Sequence, residues 1–208
     1  MEHFDEELIK TSNNFKKQNE ISVEVQKFEE ELKIIIEQIK SGTVKINDLI
    51  IEIERKTFFN ELFSIYIPKD LKQMPENIAR MKYPSESRPK ILYTNKKDTL
   101  NIGINYTEQE MEEDEVCAFR DVMKDAFIAV NPSSEILDSG ELVIDKTNIG
   151  FYTFPNFAMG GQLYNLIFVL SLQGKALVCN FNCLKKDLKQ WKLLFYGIMN
   201  TIGISMEV

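Results

Sequence analysis

The stretch Phe63–Tyr106, FSIYIPKDLKQMPENIARMKYPSESRPKILYTNKKDTLNIGINY, constrains the fold more than any other part of the chain. Phe63, Ile65 and Ile67 alternate with Ser64 and Tyr66, which predicts a strand, and Pro68 ends it. Pro75 suits the first turn of a short helix, Glu76–Tyr83, which Pro84 terminates. A strand follows at Ile91–Thr94, then a loop of turn-forming and charged residues, Asn95–Asp98. In the next strand Leu100, Ile102, Ile104 and Tyr106 face one way, and Asn101, Gly103, Asn105 and Thr107 the other. Such clean alternation implies an antiparallel sheet covered more thoroughly on one face. The stretch identifies a fold and carries no pattern of catalytic residues.

At 208 residues the chain is one domain, with or without an appendage. A chain of this size buries roughly 70% of its unfolded surface and needs no metal or disulfide staple. The net charge of −7 argues against nucleic-acid binding, which requires a basic face. Three cysteines, Cys117, Cys179 and Cys183, are no disulfide framework. Read as residues of one strand, Cys179 and Cys183 lie roughly 13 Å apart, too far for a bridge. Reduced thiols point to a reducing compartment. The acidic start, MEHFDEELIK, lacks the features of a signal peptide, and no apolar run reaches the length of a membrane span. The expectation is a cytoplasmic protein without membrane insertion.

Residues 1–56 contain no proline and one glycine, Gly42. Val25, Phe28, Leu32, Ile35 and Ile39 form one helical stripe, stopped by Ser41-Gly42. The stripe covers under three heptads, too few for an isolated coiled coil. It packs on its own domain or on a second copy, and it is the candidate self-association surface. A weaker helix, Phe4–Phe15, rests on Leu8, Thr11 and Phe15. Asn47–Lys56 fits two patterns. Ile51, Ile53 and Arg55 alternate with Glu52 and Glu54 as in a strand; Leu49, Ile50 and Ile53 fit a helix capped by Asn47 or Asp48, which is preferred. The chain thus divides into a helical extension, 1–56, and a domain, 57–208.

Downstream the pattern predicts a helix over Asp114–Val130. Strands follow at Ile136–Asp145, Gly150–Phe157, Leu163–Leu172 and Ala176–Asn182, joined by hairpin-length loops. The final helix, Leu184–Ile202, carries Leu184, Leu188, Trp191, Phe195, Ile198 and Ile202 in one stripe. The fold class is α+β, a mainly antiparallel sheet flanked by helices in an α/β/α sandwich, behind an N-terminal helical extension.

The order of elements and several turn residues resemble a known family. The carriers are Phe63–Pro68, the helix end Met81-Lys82-Tyr83-Pro84, Arg88-Pro89-Lys90 before Ile91–Thr94, the strand Leu100–Asn105 and the acidic-led helix after it. Over roughly residues 58–204 they resemble the PsbP-like, or Mog-type, α/β/α sandwich, and within it a DcrB-related bacterial branch. Members of the wider fold serve as photosystem accessory proteins, partners of a small GTPase and adaptor chaperones. The resemblance therefore implies protein binding and no catalysis, while fold alone does not assign function.

The single histidine, His3, excludes histidine-based acid–base chemistry and histidine-rich metal sites. No cofactor, metal or catalytic residue is expected. Cys179 and Cys183 read as two thiols on one strand face. The acidic run Glu108–Glu115 complements the dipole of the helix that follows. Lys82, Arg88 and Lys90 lack the glycine-rich loop of a phosphate site. Lys185, Lys186, Lys189 and Lys192 form a solvated face or a surface for an acidic partner. The candidate binding residues are Phe151, Tyr152, Phe154, Phe157 and Met159. Pro155 among them makes their strand an edge or a bulge, open to a partner protein or small molecule. Burial of one side in the core and of the other beneath a helix explains the same rings. The leading functional reading is a non-catalytic protein-binding module, an adaptor or chaperone. A small-molecule domain with an aromatic-lined pocket is the alternative, and an enzyme using paired carboxylates comes last.

Overall fold

The computed structural model describes residues 23–86, 88–158 and 161–205. The expected Phe4–Phe15 helix, His3 and Met159 lie outside these residues. Helix α1 spans 23–41. Strands β1 (Thr43–Ile46), β2 (Leu49–Phe58) and β3 (Phe63–Pro68) follow, then β4 (Lys72–Gln73) and helix α2 (Glu76–Lys82). Strands β5 (Ile91–Thr94) and β6 (Leu100–Glu110) precede helix α3 (Val116–Val130). Strands β7 (Asp138–Ile144), β8 (Thr147–Ala158), β9 (Gly161–Leu172) and β10 (Lys175–Leu184) lead to helix α4 (Leu188–Met199) and strand β11 (Gly203–Ile204). The fold is α+β, as the sequence predicts.

The strands form two antiparallel sheets. One has four strands in the order β1-β2-β3-β11, the other seven in the order β4-β5-β6-β10-β9-β8-β7. The strand Phe63–Pro68 therefore does not join its neighbours Ile91–Thr94 and Leu100–Glu110 in a single sheet; it pairs with β2 and β11.

Residues 47–56 are not a helix. They turn at Asn47-Asp48 and continue as β2, paired with β1 and β3. Asn47 sits in the left-handed region, with φ 54°, a conformation asparagine tolerates. Burial shows why the helical reading fails. A helix would bury Leu49, Ile50 and Ile53 together, yet Leu49 and Ile50 are 42% and 67% exposed while Ile51 and Ile53 are buried. The period-two pattern is the one the core uses. The 56/57 boundary falls inside β2, which hydrogen-bonds across it to β3.

Helix α4 is the centre of the molecule. Leu194 through Met199 are all buried, as in a helix surrounded by protein. Phe195 meets Phe181 of β10 with ring centroids 5.3 Å apart. The same helix packs on β3 of the other sheet. Its third neighbour is α1. A Cβ on Gly197 would stand 2.7 Å from Ile35 Cγ2 and 2.8 Å from Ile39 Cδ1, so glycine is what allows the two helices to approach. One cluster of buried side chains joins α1, α4 and both sheets. Helices α2 and α3 lie on the outer face of the seven-stranded sheet, where Gly150 of β8 leaves room for Arg120 and Val116.

Candidate functional site

A broad concavity runs between α1 and the segment entering α4, closed at one end by β1. Its volume is about 890 Å³. Its floor is apolar: Phe28 and Ile35 of α1, Leu188 and Leu193 of α4, and Ile46 of β1. The 3-10 turn Lys185–Asp187 and α4 supply one wall, with Lys185, Lys186, Lys189 and Lys192. Among the described residues none of these four ammoniums lies within ion-pair distance of a carboxylate. Lys192 Nζ stands over the rings of Phe28 and Tyr196, 5.5 and 5.9 Å from their centroids, a cation–π arrangement that holds it at the rim. The opposite wall is of mixed charge: Glu24, Lys27 and Glu31 line it, with Lys27 3.9 Å from Glu31.

Tertiary contacts build the groove. Tyr196 joins its walls to the large sheet: its ring meets Phe28 at 5.4 Å and Phe151 at 5.7 Å, both edge-on. Its hydroxyl donates to Asp138 Oδ2 at 2.5 Å. Burial pushes the Tyr196 phenol far above its ordinary range. Ile35 and Ile39, members of the expected self-association stripe, are buried against α4 of their own chain. Phe28 and Leu32 pack partly on the same core, and Val25 is 50% exposed. The lysines of the C-terminal helix and the stripe of the N-terminal helix, read separately in the sequence, meet here.

The aromatic stretch of β8 is divided between the faces of its sheet. Tyr152 and Phe154 are buried beneath α3, where the Phe127 ring lies tilted against Phe154 at 3.9 Å between centroids. Phe151 faces α4 through Tyr196. Phe157 is 82% exposed. Strand β7 pairs with β8 only as far as Asp138↔Thr153, and from Phe154 onward β8 borders β9 alone. Pro155 thus sits on a locally free edge, where its missing N–H removes no ladder bond.

Other chemistry-bearing residues are engaged elsewhere. Lys82 reaches the Asp98 carbonyl at 2.6 Å, and Arg88 pairs with Glu76 at 3.0 Å, so these cations do not converge on an anion pocket. Glu112 and Glu115 form a reciprocal capping box before α3, and Glu113 accepts from the Asn148 backbone. The three cysteines are free thiols. Burial pushes the Cys183 thiol up to about 12 and Cys179 higher. The Glu141 carboxylate, accepting from Cys117 Sγ at 2.7 Å, raises the third. Among the described residues no group of three or more His, Cys, Asp or Glu is placed to hold a metal ion.

One polar feature had no distinct signal in the sequence. Thr94, Asn101, Asn182 and Asn165 lie directly opposite one another across β5, β6, β10 and β9. Thr94 Oγ1 donates to Asn101 Oδ1 at 2.7 Å, Asn101 Nδ2 to Asn182 Oδ1 at 2.7 Å, and Asn182 Nδ2 to the Tyr83 hydroxyl at 2.9 Å. All four row members are buried. Each asparagine alternates correctly in its own strand, but only pairing aligns them. Thr94, Asn101 and Asn182 satisfy one another and Tyr83, and Asn165 donates outside the row to Asn156 Oδ1 at 2.8 Å, which is a structural role.

No family model and no curated protein matches the sequence. Solved structures do resemble the fold. The solution structure of cyanobacterial PsbP (CyanoP) from Synechocystis superposes with a TM-score of 0.56 at 12% identity, over 78% of this chain and 98% of that one. The crystal structure of LpqN, involved in cell envelope biogenesis of Mycobacterium tuberculosis, superposes with a TM-score of 0.45 at 14% identity, over 75% and 92%. The first of these likenesses shows that the fold is PsbP-like.

Proposed function

We propose that this PsbP-like domain is a non-catalytic binding module that receives a segment of a partner protein in the groove between α1 and α4. One observation carries the reading: four lysines with no carboxylate partner among the described residues stand over an apolar floor, in a chain whose net charge is −7. Lys69 and Lys175 pair with Glu52 and Glu108, whereas Lys33, Lys72, Lys96 and Lys97 among others form no ion pair with a described carboxylate, so what distinguishes the four is their clustering on one wall beside apolar side chains. A surface that keeps unpaired charge beside apolar rings has the anatomy of a recognition patch, an apolar centre within a polar rim. The Mog-type and DcrB-related resemblance of the sequence points the same way. The three free thiols favour a cytoplasmic setting.

The test is photo-crosslinking in the native cell. Benzoylphenylalanine replaces Lys189 in the groove or, in a second variant, Asp125 on α3 at the opposite face. Protein adducts formed from position 189 and not from 125 support the reading. No adduct at 189 beyond the yield at 125 would refute it.

A further inference from the structure

We infer that the occupant of the groove is an amphipathic helix of a partner protein, acidic along one flank; this rests on the reading of the groove as a protein-binding site. The asymmetry of the walls decides the charge. Lys185, Lys186, Lys189 and Lys192 crowd one side, whereas Glu24, Lys27 and Glu31 on the other partly neutralise one another. A bound segment therefore carries carboxylates towards α4 and neutral or basic groups towards α1. Opposed charges of this kind select orientation and partner more than they add affinity.

The floor decides the rest of the chemistry. Phe28, Ile35, Leu188 and Leu193 offer apolar surface at the bottom of the groove. A polyanion without apolar groups, such as a nucleic acid strand, leaves that surface uncovered. A bilayer is flat on this scale and does not reach a floor set between two helices. A segment with one apolar stripe and one acidic flank satisfies both floor and wall.

Helical rather than extended form follows from the edge that closes the groove. Strand β1 has four residues, and the Lys45 N–H is already taken by Gln38 Oε1 at 2.8 Å. Strand addition at β1 has little free ladder to join. Along α1, by contrast, Glu24 to Gln38 rise about 21 Å, the length of about four helical turns. The groove is a trough between two helices, the shape that takes a third through anchors spaced i, i+3, i+4 and i+7.

The experiment uses the full chain and fluorescence anisotropy. The probe is a fluorescein-labelled helical peptide of about 16 residues, with leucines at those anchor positions and glutamates along one flank. Its comparators are the same peptide with lysines for glutamates, a scrambled peptide of identical composition, and phosphatidylserine vesicles. The acidic amphipathic peptide should bind at least about tenfold more tightly than the lysine or scrambled peptide, and rising salt should weaken it. The combined variant Lys185→Glu, Lys186→Glu and Lys189→Glu, three exposed positions, should reverse the preference towards the lysine peptide, with an unchanged circular dichroism spectrum. The inference is overturned if the acidic peptide does not bind, if the scrambled peptide binds equally, if vesicles bind in its place, or if the triple variant leaves the preference unchanged. Should the peptide fail while adducts persist at position 189, the helix falls and the protein-binding site stands. Should both fail, both readings fall.

Discussion

The contact between α1 and α4 can be measured by a double-mutant cycle at Gly197 and Ile35. Gly197 is an interior position of α4, so replacing it by alanine gains about 1 kcal/mol of helix propensity. The added Cβ meets Ile35 Cγ2 at 2.7 Å and Ile39 Cδ1 at 2.8 Å, well inside ordinary contact. Overpacking of this kind costs about 1–3 kcal/mol. The net loss for Gly197→Ala in the native background is then about 0–2 kcal/mol. Ile35→Ala empties a site that is 4% exposed, at about 2–5 kcal/mol. In the double variant the alanine methyl occupies space that Ile35 Cγ2 has left, and Ile39 can move into the remainder. The clash is relieved and the propensity gain survives, so Gly197→Ala should stabilise the Ile35→Ala background by about 1 kcal/mol. The change of sign between backgrounds is the signature of direct contact, with a coupling of about 1–3 kcal/mol. Urea unfolding followed by fluorescence of Trp191, the single tryptophan and itself on α4, supplies the four free energies. If Gly197→Ala has the same effect in both backgrounds, within about 0.5 kcal/mol, α1 does not pack on α4 at this point. The groove then loses a wall.

Three further outcomes follow from individual contacts. Tyr83→Phe removes the acceptor for Asn182 Nδ2 at 2.9 Å and should cost about 1–3 kcal/mol by urea unfolding; a loss under about 0.5 kcal/mol would mean that the asparagine row does not depend on it. Phe59, Asn60 and Glu61 occupy the left-handed region in succession, at φ 56°, 54° and 68°. Glu61→Gly should raise stability by about 0.5–1 kcal/mol, the left-handed penalty less the entropy of glycine, and a lower denaturation midpoint would contradict that. Arg120 first, then Lys124, draw the Asp121 carboxyl down from 3.8 to about 2. The contribution of that carboxyl is complete above its unfolded value and is lost as pH falls through the folded one. Its side chain is 46% exposed, which limits the stabilisation to less than about 1 kcal/mol. Asp121→Asn should show that deficit at neutral pH, less of it by about pH 2 and none by about pH 1, and a deficit that persists undiminished in acid would rule out charge as its source.

The sequence by itself determined most of the local structure. Alternation predicted β3, β5 and β6 and marked the four strands from β7 to β10, and the leucine–aromatic stripe predicted α4. These patterns are legible because strand and helix periods are written in consecutive residues. Tertiary structure decided what consecutive residues leave open. The segment 49–58 satisfies both periods, and pairing with β1 and β3 selected the strand by burying Ile51 and Ile53 and leaving Ile50 outside. The assignment of strands to two sheets followed from α4, whose largely apolar, wholly buried end requires cover on several sides. The stripe of α1 is visible in the sequence, but whether it meets its own chain or another depended on a flat place to dock, and Gly197, more than 150 positions away, provides it. The groove has the same origin. Its four clustered lysines and the Phe28 ring belong to opposite ends of the chain, and neither end signals the other. They become one surface only when α1 lies down on α4, because long-range burial, unlike periodicity, is a property of the packed whole.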